Sequence, residues 1–126
     1  MAVNDVDAAE EWLDSWASQV DARAQRAVEL SRRVASLTGV ADGQDGAIRV
    51  RVGSSGQVES LELDDRVQEI SGPRLAREIM AVIRRAQAEL SARVAEQVRA
   101  TVGADSEAGR AVIDSFETRF PAPGER

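Results

Sequence analysis

Residues 42–65 read DGQDGAIRVRVGSSGQVESLELDD, and the fold turns on this stretch. Ile48, Arg49, Val50, Arg51 and Val52 alternate apolar with charged, the period of a half-buried strand. GSSG breaks the run, and residues 57–63 resume it. Antiparallel pairing with Ile48 opposite Leu63 and Val50 opposite Leu61 stacks apolar on apolar on one face. The other face then sets Arg49 opposite Glu62, an exposed cross-strand pair worth well under about 1 kcal/mol. The same register places Arg51 opposite Ser60 and Val52 opposite Glu59, and it closes the hairpin with a two-residue turn at Ser55–Gly56. Val58 then points to the face away from Leu61 and Leu63. Upstream, the breakers in LTGVADGQDG leave room for a short strand over residues 37–41 and a turn at 42–46.

Outward from this small sheet, both flanks read as long helices. The first spans from residue 4 or 5 to about 35. Asp5, Asp7, Glu10, Glu11 and Asp14 crowd its start, where the helix dipole favours anions. Val6, Leu13, Val20, Ala27 and Val34 recur every seven residues, with Ala9, Trp16, Leu30 and Leu37 offset by three and Arg23 breaking the series. Such a narrow stripe predicts a seam against one other helix. The second helix, about 73–102, has Ser71 as N-cap and Pro73 in its first turn. Its apolar stripe is Leu75, Ile79, Val82/Ile83, Ala86, Leu90, Val94, Val98 and Val102, and Gly103 ends it. Residues 1–103 are thus expected to form one α+β domain in the order α-β-β-β-α. Residues 104–126 add a short amphipathic helix, with Val112, Ile113, Phe116 and Phe120 on one face, and a frayed PAPGER end.

Composition narrows the chemistry. The 126 residues suit one domain. Cys, His, Tyr and Lys are absent, so no nucleophile–base pair can be assembled, and an enzyme is not expected. Asp42, Asp45 and Asp64 lack the downstream Glu of a calcium loop, so neither metal nor cofactor is expected. No segment is apolar enough for a membrane span, and the acidic N-terminus is unlike a signal peptide, which predicts a cytoplasmic protein. Few large apolar residues make a thin protomer core and favour self-association. Net charge is −6, and all 16 basic residues are Arg. Residues 71–102 carry six Arg against three Glu, the one segment with a positive balance.

The hairpin residues Gly46, Ile48, Val50, Val52, Gly53, Gly56, Val58, Leu61, Leu63 and Asp64, followed by LAREIMAVIRRAQAEL, resemble the core of the YbaB/EbfC nucleoid-associated proteins. The all-Arg chemistry and EWLDSW resemble the actinobacterial branch. The resemblance covers about residues 30–98. It implies a homodimer joined through its sheets, with the long helices projecting as tweezer-like paired arms. Ile48, Val50, Val52, Val58, Leu61 and Leu63 would form the interface. It also implies non-enzymatic, largely sequence-independent binding of double-stranded DNA in the nucleoid.

Non-specific DNA affinity comes chiefly from Arg and Lys on phosphates. The candidates here are Arg23, Arg26, Arg32, Arg33, Arg51, Arg77, Arg84 and Arg85. Ordinary helix-surface ion pairs compete for several: Glu29 with Arg32 or Arg33, Arg74 with Glu78, Arg85 with Glu89, and Glu89 with Arg93. Arg77 and Arg84 stand out, seven apart on one face and with no acid four residues from Arg77. The acidic balance and the Phe116–Phe120 face favour an alternative. YbaB-like chains also resemble accessory components found with actinobacterial type VII (ESX) secretion systems, and that resemblance implies an interaction module that does not bind DNA directly and meets a protein partner through its C-terminal helix.

Overall fold

The computed structural model describes residues 2–122, with side chains from residue 6 onward. Helix α1 (Ala2–Ala35) leads into strands β1 (Gly39–Gly43), β2 (Ile48–Val52) and β3 (Val58–Leu63). A short 3-10 turn (Asp65–Glu69) precedes helix α2 (Gly72–Thr101), and helix α3 (Glu107–Arg119) follows. The sheet is an antiparallel meander in the order β1-β2-β3. The fold is therefore α+β with the expected element order. β1 starts two residues later than the sequence indicates, because residues 36 and 37 close the helix with hydrogen bonds to Arg33 and Val34 carbonyls. The expected frayed end at PAPGER lies, from residue 123 on, outside the described residues.

Four of the five inferred β2–β3 pairs are present: Ile48–Leu63, Arg49–Glu62, Val50–Leu61 and Arg51–Ser60. The fifth is corrected. Val52 pairs with Val58, not Glu59, and the ladder shifts between Arg51 and Val52. The turn explains the slip. Gly56 N–H donates to the Gly53 carbonyl at 2.8 Å, and Gly53 N–H donates to Gln57 at 2.9 Å, so three residues, not two, close the hairpin. Gly56 takes φ +84°, the left-handed conformation that such a turn requires after its central residues. The extra residue is Glu59. Its bulge turns Val58 to the side of Val52, and hence of Leu61 and Leu63, rather than away from them.

Alternation along β2 buries Ile48, Val50 and Val52 and exposes Arg49 and Arg51. The buried three meet α2, whose Val82, Ala86, Leu90, Val94 and Val98 are also buried. These residues step four apart along the helix, as its apolar stripe demands. Fully burying each large side chain contributes about 1.5–3 kcal/mol. β1 crosses α2 closely because it begins and ends on glycine. A Cβ on Gly39 would run into the Ala86 carbonyl and sit 2.9 Å from the Leu90 nitrogen; one on Gly43 would sit 2.7 Å from Val82. Ser71 Oγ caps α2 by accepting from the Arg74 amide at 3.4 Å, as its position before Gly72–Pro73 suggests.

α3 runs back along α2. Gly109 lies against Val98, and Ser91 Oγ donates to the Phe120 carbonyl at 3.5 Å. Phe116 is buried, and the Phe120 ring covers Gly56 at the hairpin tip. Gln87 Nε2 donates to the Gly56 carbonyl at 2.9 Å, so α2 and α3 together hold the tip of the β2–β3 hairpin.

The expected seam between α1 and α2 is corrected. Only the last turns of α1 pack: Leu30 is buried, and Val34 and Leu37 lean on the core. Val6, Leu13, Trp16 and Val20 are exposed. Leu37 lies by Ala92 and Arg93, and Arg33 reaches Gln97 about one turn from the end of α2 at Thr101, so the earlier residues of α1 have no α2 beside them.

Candidate nucleic-acid interface

α2 presents opposite faces to core and solvent. With Val82 and Ala86 inward, the 100° step per residue carries Arg77 and Arg84 to the outward side. Both are exposed, and neither forms an ion pair or hydrogen bond among the described residues. They lie about 10 Å apart along the axis at 1.5 Å per residue. Met80, also exposed, lies between them in sequence.

The neighbouring Arg85 has a different task. Its guanidinium donates to the Asp42 carbonyl at 2.5 Å, tying α2 to the end of β1. The expected pair with Glu89 is not formed; Glu89 holds Arg93 instead, at 3.0 Å. Arg74 forms no ion pair with Glu78 among the described residues. Arg33 pairs with Glu29 and reaches Gln97 on α2 at 3.5 Å. Arg51 pairs with Glu59 at 3.9 Å, a contact made available by the bulge. Arg49 faces Glu62 in the ladder but forms no ion pair among the described residues. Of the eight candidate cations, Arg33, Arg51 and Arg85 thus have protein partners. Arg23, Arg26, Arg32, Arg77 and Arg84 face solvent.

The structure does not gather these cations into one cluster. Arg33 stands beside Gln97, and the 13 residues from there back to Arg84 span roughly 20 Å of helix. Arg77 and Arg84 share the outward face of α2, whereas Arg23 and Arg32, nine residues apart, lie on opposite faces of α1 with Arg26 nearer Arg23.

Of the six residues assigned to a subunit interface, Ile48, Val50 and Val52 lie in the protomer's own core at 0–2% exposure. Their side chains are spent beneath α2. Val58, Leu61 and Leu63 remain 44–45% exposed on β3. α2 lies over β1 and β2 but does not extend across β3, so the apolar residues of β3 lie beyond its cover. β3 is an edge strand, with a row of backbone groups and three apolar side chains available together.

Asp64 caps the 3-10 turn after β3. Its carboxylate accepts from the Arg66 amide at 2.9 Å and pairs with the Arg66 side chain at 3.3 Å. The backbone hydrogen bond, helped by the guanidinium, holds the carboxyl below the usual aspartate range. Arg66 also donates to the Asp45 carbonyl at 3.3 Å, bracing the β1–β2 turn. Nothing in the residue types alone marks Arg66 and Arg85 as loop braces, since each reaches a carbonyl far away in sequence.

A meander covered on one side by a long basic helix, with a bare apolar edge, defines an α+β binding module. The model of the YbaB/EbfC DNA-binding family matches residues 11–105, and the chain belongs to that family. α3 lies beyond the matched residues. No curated protein and no solved structure gives a match to the chain. No helix among the described residues is long and apolar enough to cross a membrane.

Proposed function

We propose that the protein acts as a homodimer that binds double-stranded DNA largely without sequence preference and organises the nucleoid in the cytoplasm. Arg77 and Arg84 provide the main phosphate contacts, with Arg23, Arg26 and Arg32 as auxiliary cations. The observation that carries this reading is the outward, unpaired placement of Arg77 and Arg84 on the one positively balanced segment of a DNA-binding family member. Guanidinium groups on a regular helix suit phosphates by charge and bidentate geometry, and they read no base edges, which is why sequence preference is weak. The β3 edge supports the dimer. Pairing two β3 strands would cover Val58, Leu61 and Leu63 and satisfy the free backbone groups.

Each chain carries −6, so a dimer approaches DNA against long-range repulsion. Binding must come from a local Arg patch within a Debye length, about 10 Å at 0.1 M salt. The test is anisotropy of a labelled random duplex at about 50 mM and about 200 mM salt, where counterion release requires a steep loss. Arg77→Ala with Arg84→Ala removes up to four phosphate contacts per dimer and should flatten the log–log salt slope by about 3 to 4. No binding at the lower salt, or an unchanged slope in the double variant, would refute the reading.

A further inference from the structure

α1 presents two surfaces that fit each other. Its N-terminal half carries an exposed apolar stripe of Val6, Leu13, Trp16 and Val20, with Trp12 beside it. Trp12 and Trp16, the two Trp of the chain, are 65% and 55% exposed. Its C-terminal half forms one wall of an open groove of about 520 Å³, whose other wall is α3. Ala27, Leu30 and Val34 face Ala111, Val112 and Phe116 across it, and small residues keep the walls low enough to admit a large side chain. We infer that this groove takes the N-terminal half of α1 from a second copy of the chain, so that two α1 helices overlap antiparallel and each supplies both surfaces.

Charge fixes the direction. Asp7, Glu10, Glu11, Asp14 and Asp21 precede any base in α1, whereas Arg23, Arg26, Arg32 and Arg33 follow with Glu29 as the lone acid. Parallel pairing sets acid beside acid. Antiparallel overlap sets the acidic half beside the basic one. Size fixes the level. Trp16 placed over the second copy's Ala27 brings Ala9 level with its Val34, a large residue over a small one at both positions. Glu10 and Glu11 then stand level with its Arg33 and Arg32. The arrangement is self-complementary and closes on a two-fold axis. It uses neither the α2 Arg face nor the β3 edge; of the auxiliary cations it engages Arg32, and it leaves the main phosphate contacts proposed at Arg77 and Arg84 untouched. α3, which builds half of the groove, lies outside the family match.

The test uses the full chain with Trp12→Phe, which leaves Trp16 as the sole indole. Acrylamide quenching of Trp16 should fall severalfold, with a blue-shifted emission, as protein concentration rises. The protection should weaken with added salt and survive Leu61→Glu, which disables the sheet edge. Ala27→Glu, and separately Ala111→Glu on the opposite wall, should abolish the protection while leaving the circular dichroism unchanged. Trp16 equally quenchable at every concentration would overturn the inference, and so would protection that persists in both groove variants.

Discussion

The ring of Phe120 lies against the backbone of Gly56, at the point where the β2–β3 hairpin reverses. Gly56 therefore meets two demands at once. Its φ of +84° disfavours any side chain by roughly 1–2 kcal/mol, and the ring fills the space a Cβ would need. Gly56→Ala should cost about 2–4 kcal/mol in urea unfolding. In a Phe120→Ala background the same change should cost only the backbone share, about 1–2 kcal/mol. Additive losses would show that the ring does not depend on the missing Cβ.

Gly39 is the equivalent device on β1, at the same end of the sheet. It lets β1 lie directly on the α2 backbone at Ala86 and Leu90. Gly39→Val must lift the strand off the helix and open the core around Val52, its ladder partner. A destabilisation of about 2–3 kcal/mol is expected, with no change in DNA affinity once the variant is folded. A neutral result by chemical denaturation would disprove that close contact.

Arg84 and Arg85 are neighbours with separable roles. Arg85→Ala removes the hydrogen bond to the Asp42 carbonyl and should lower stability by about 1 kcal/mol. Arg84→Ala should leave stability within about 0.5 kcal/mol and instead weaken duplex binding at low salt. Thermal melts alongside anisotropy distinguish the two. A common effect on both readouts would argue against the division.

The lowered carboxyl of Asp64 makes a signed pH prediction. A group whose folded value is depressed stabilises the fold above its unfolded value, and that contribution fades as pH falls through the folded value. The wild type should therefore be more stable than Asp64→Ala near neutrality. The gap should narrow once pH drops below about 4, the ordinary aspartate range. Paired denaturant titrations across that interval check it; a gap that widens on acidification would reverse the assigned sign.

Much of the sheet was legible because alternation and charge in residues 48–52 and 59–63 admit few registers. The bulge was not. GSSG accommodates a two-residue or a three-residue closure, and the choice rests on the left-handed Gly56 and on Phe120, more than sixty residues away. In α2, the stripe from Val82 to Val98 named its own buried face. In α1, the equally regular heptad identified an apolar face but not its occupant, since periodicity states a demand and leaves the partner open. The Arg candidates divided for a similar reason. Intrahelical spacing offered Glu89 to Arg85, while the carbonyl it reaches lies on a strand 43 residues earlier. No local pattern encodes such a contact.

The meander order of the strands also dictates the sequence of events as the chain is made. Each hairpin closes on a neighbour that has just appeared, so loop-closure entropy is small at every step. Yet Ile48, Val50 and Val52 stay largely wet until Val82–Val98 has emerged, because the dry side of the sheet is supplied mainly by later residues, with Leu30 the one buried side chain among the described residues that precedes it. The nascent sheet is therefore an apolar ribbon awaiting its helix. Its exposure on the ribosome lasts as long as translation takes to pass from residue 52 to residue 98, at about 5–20 residues per second.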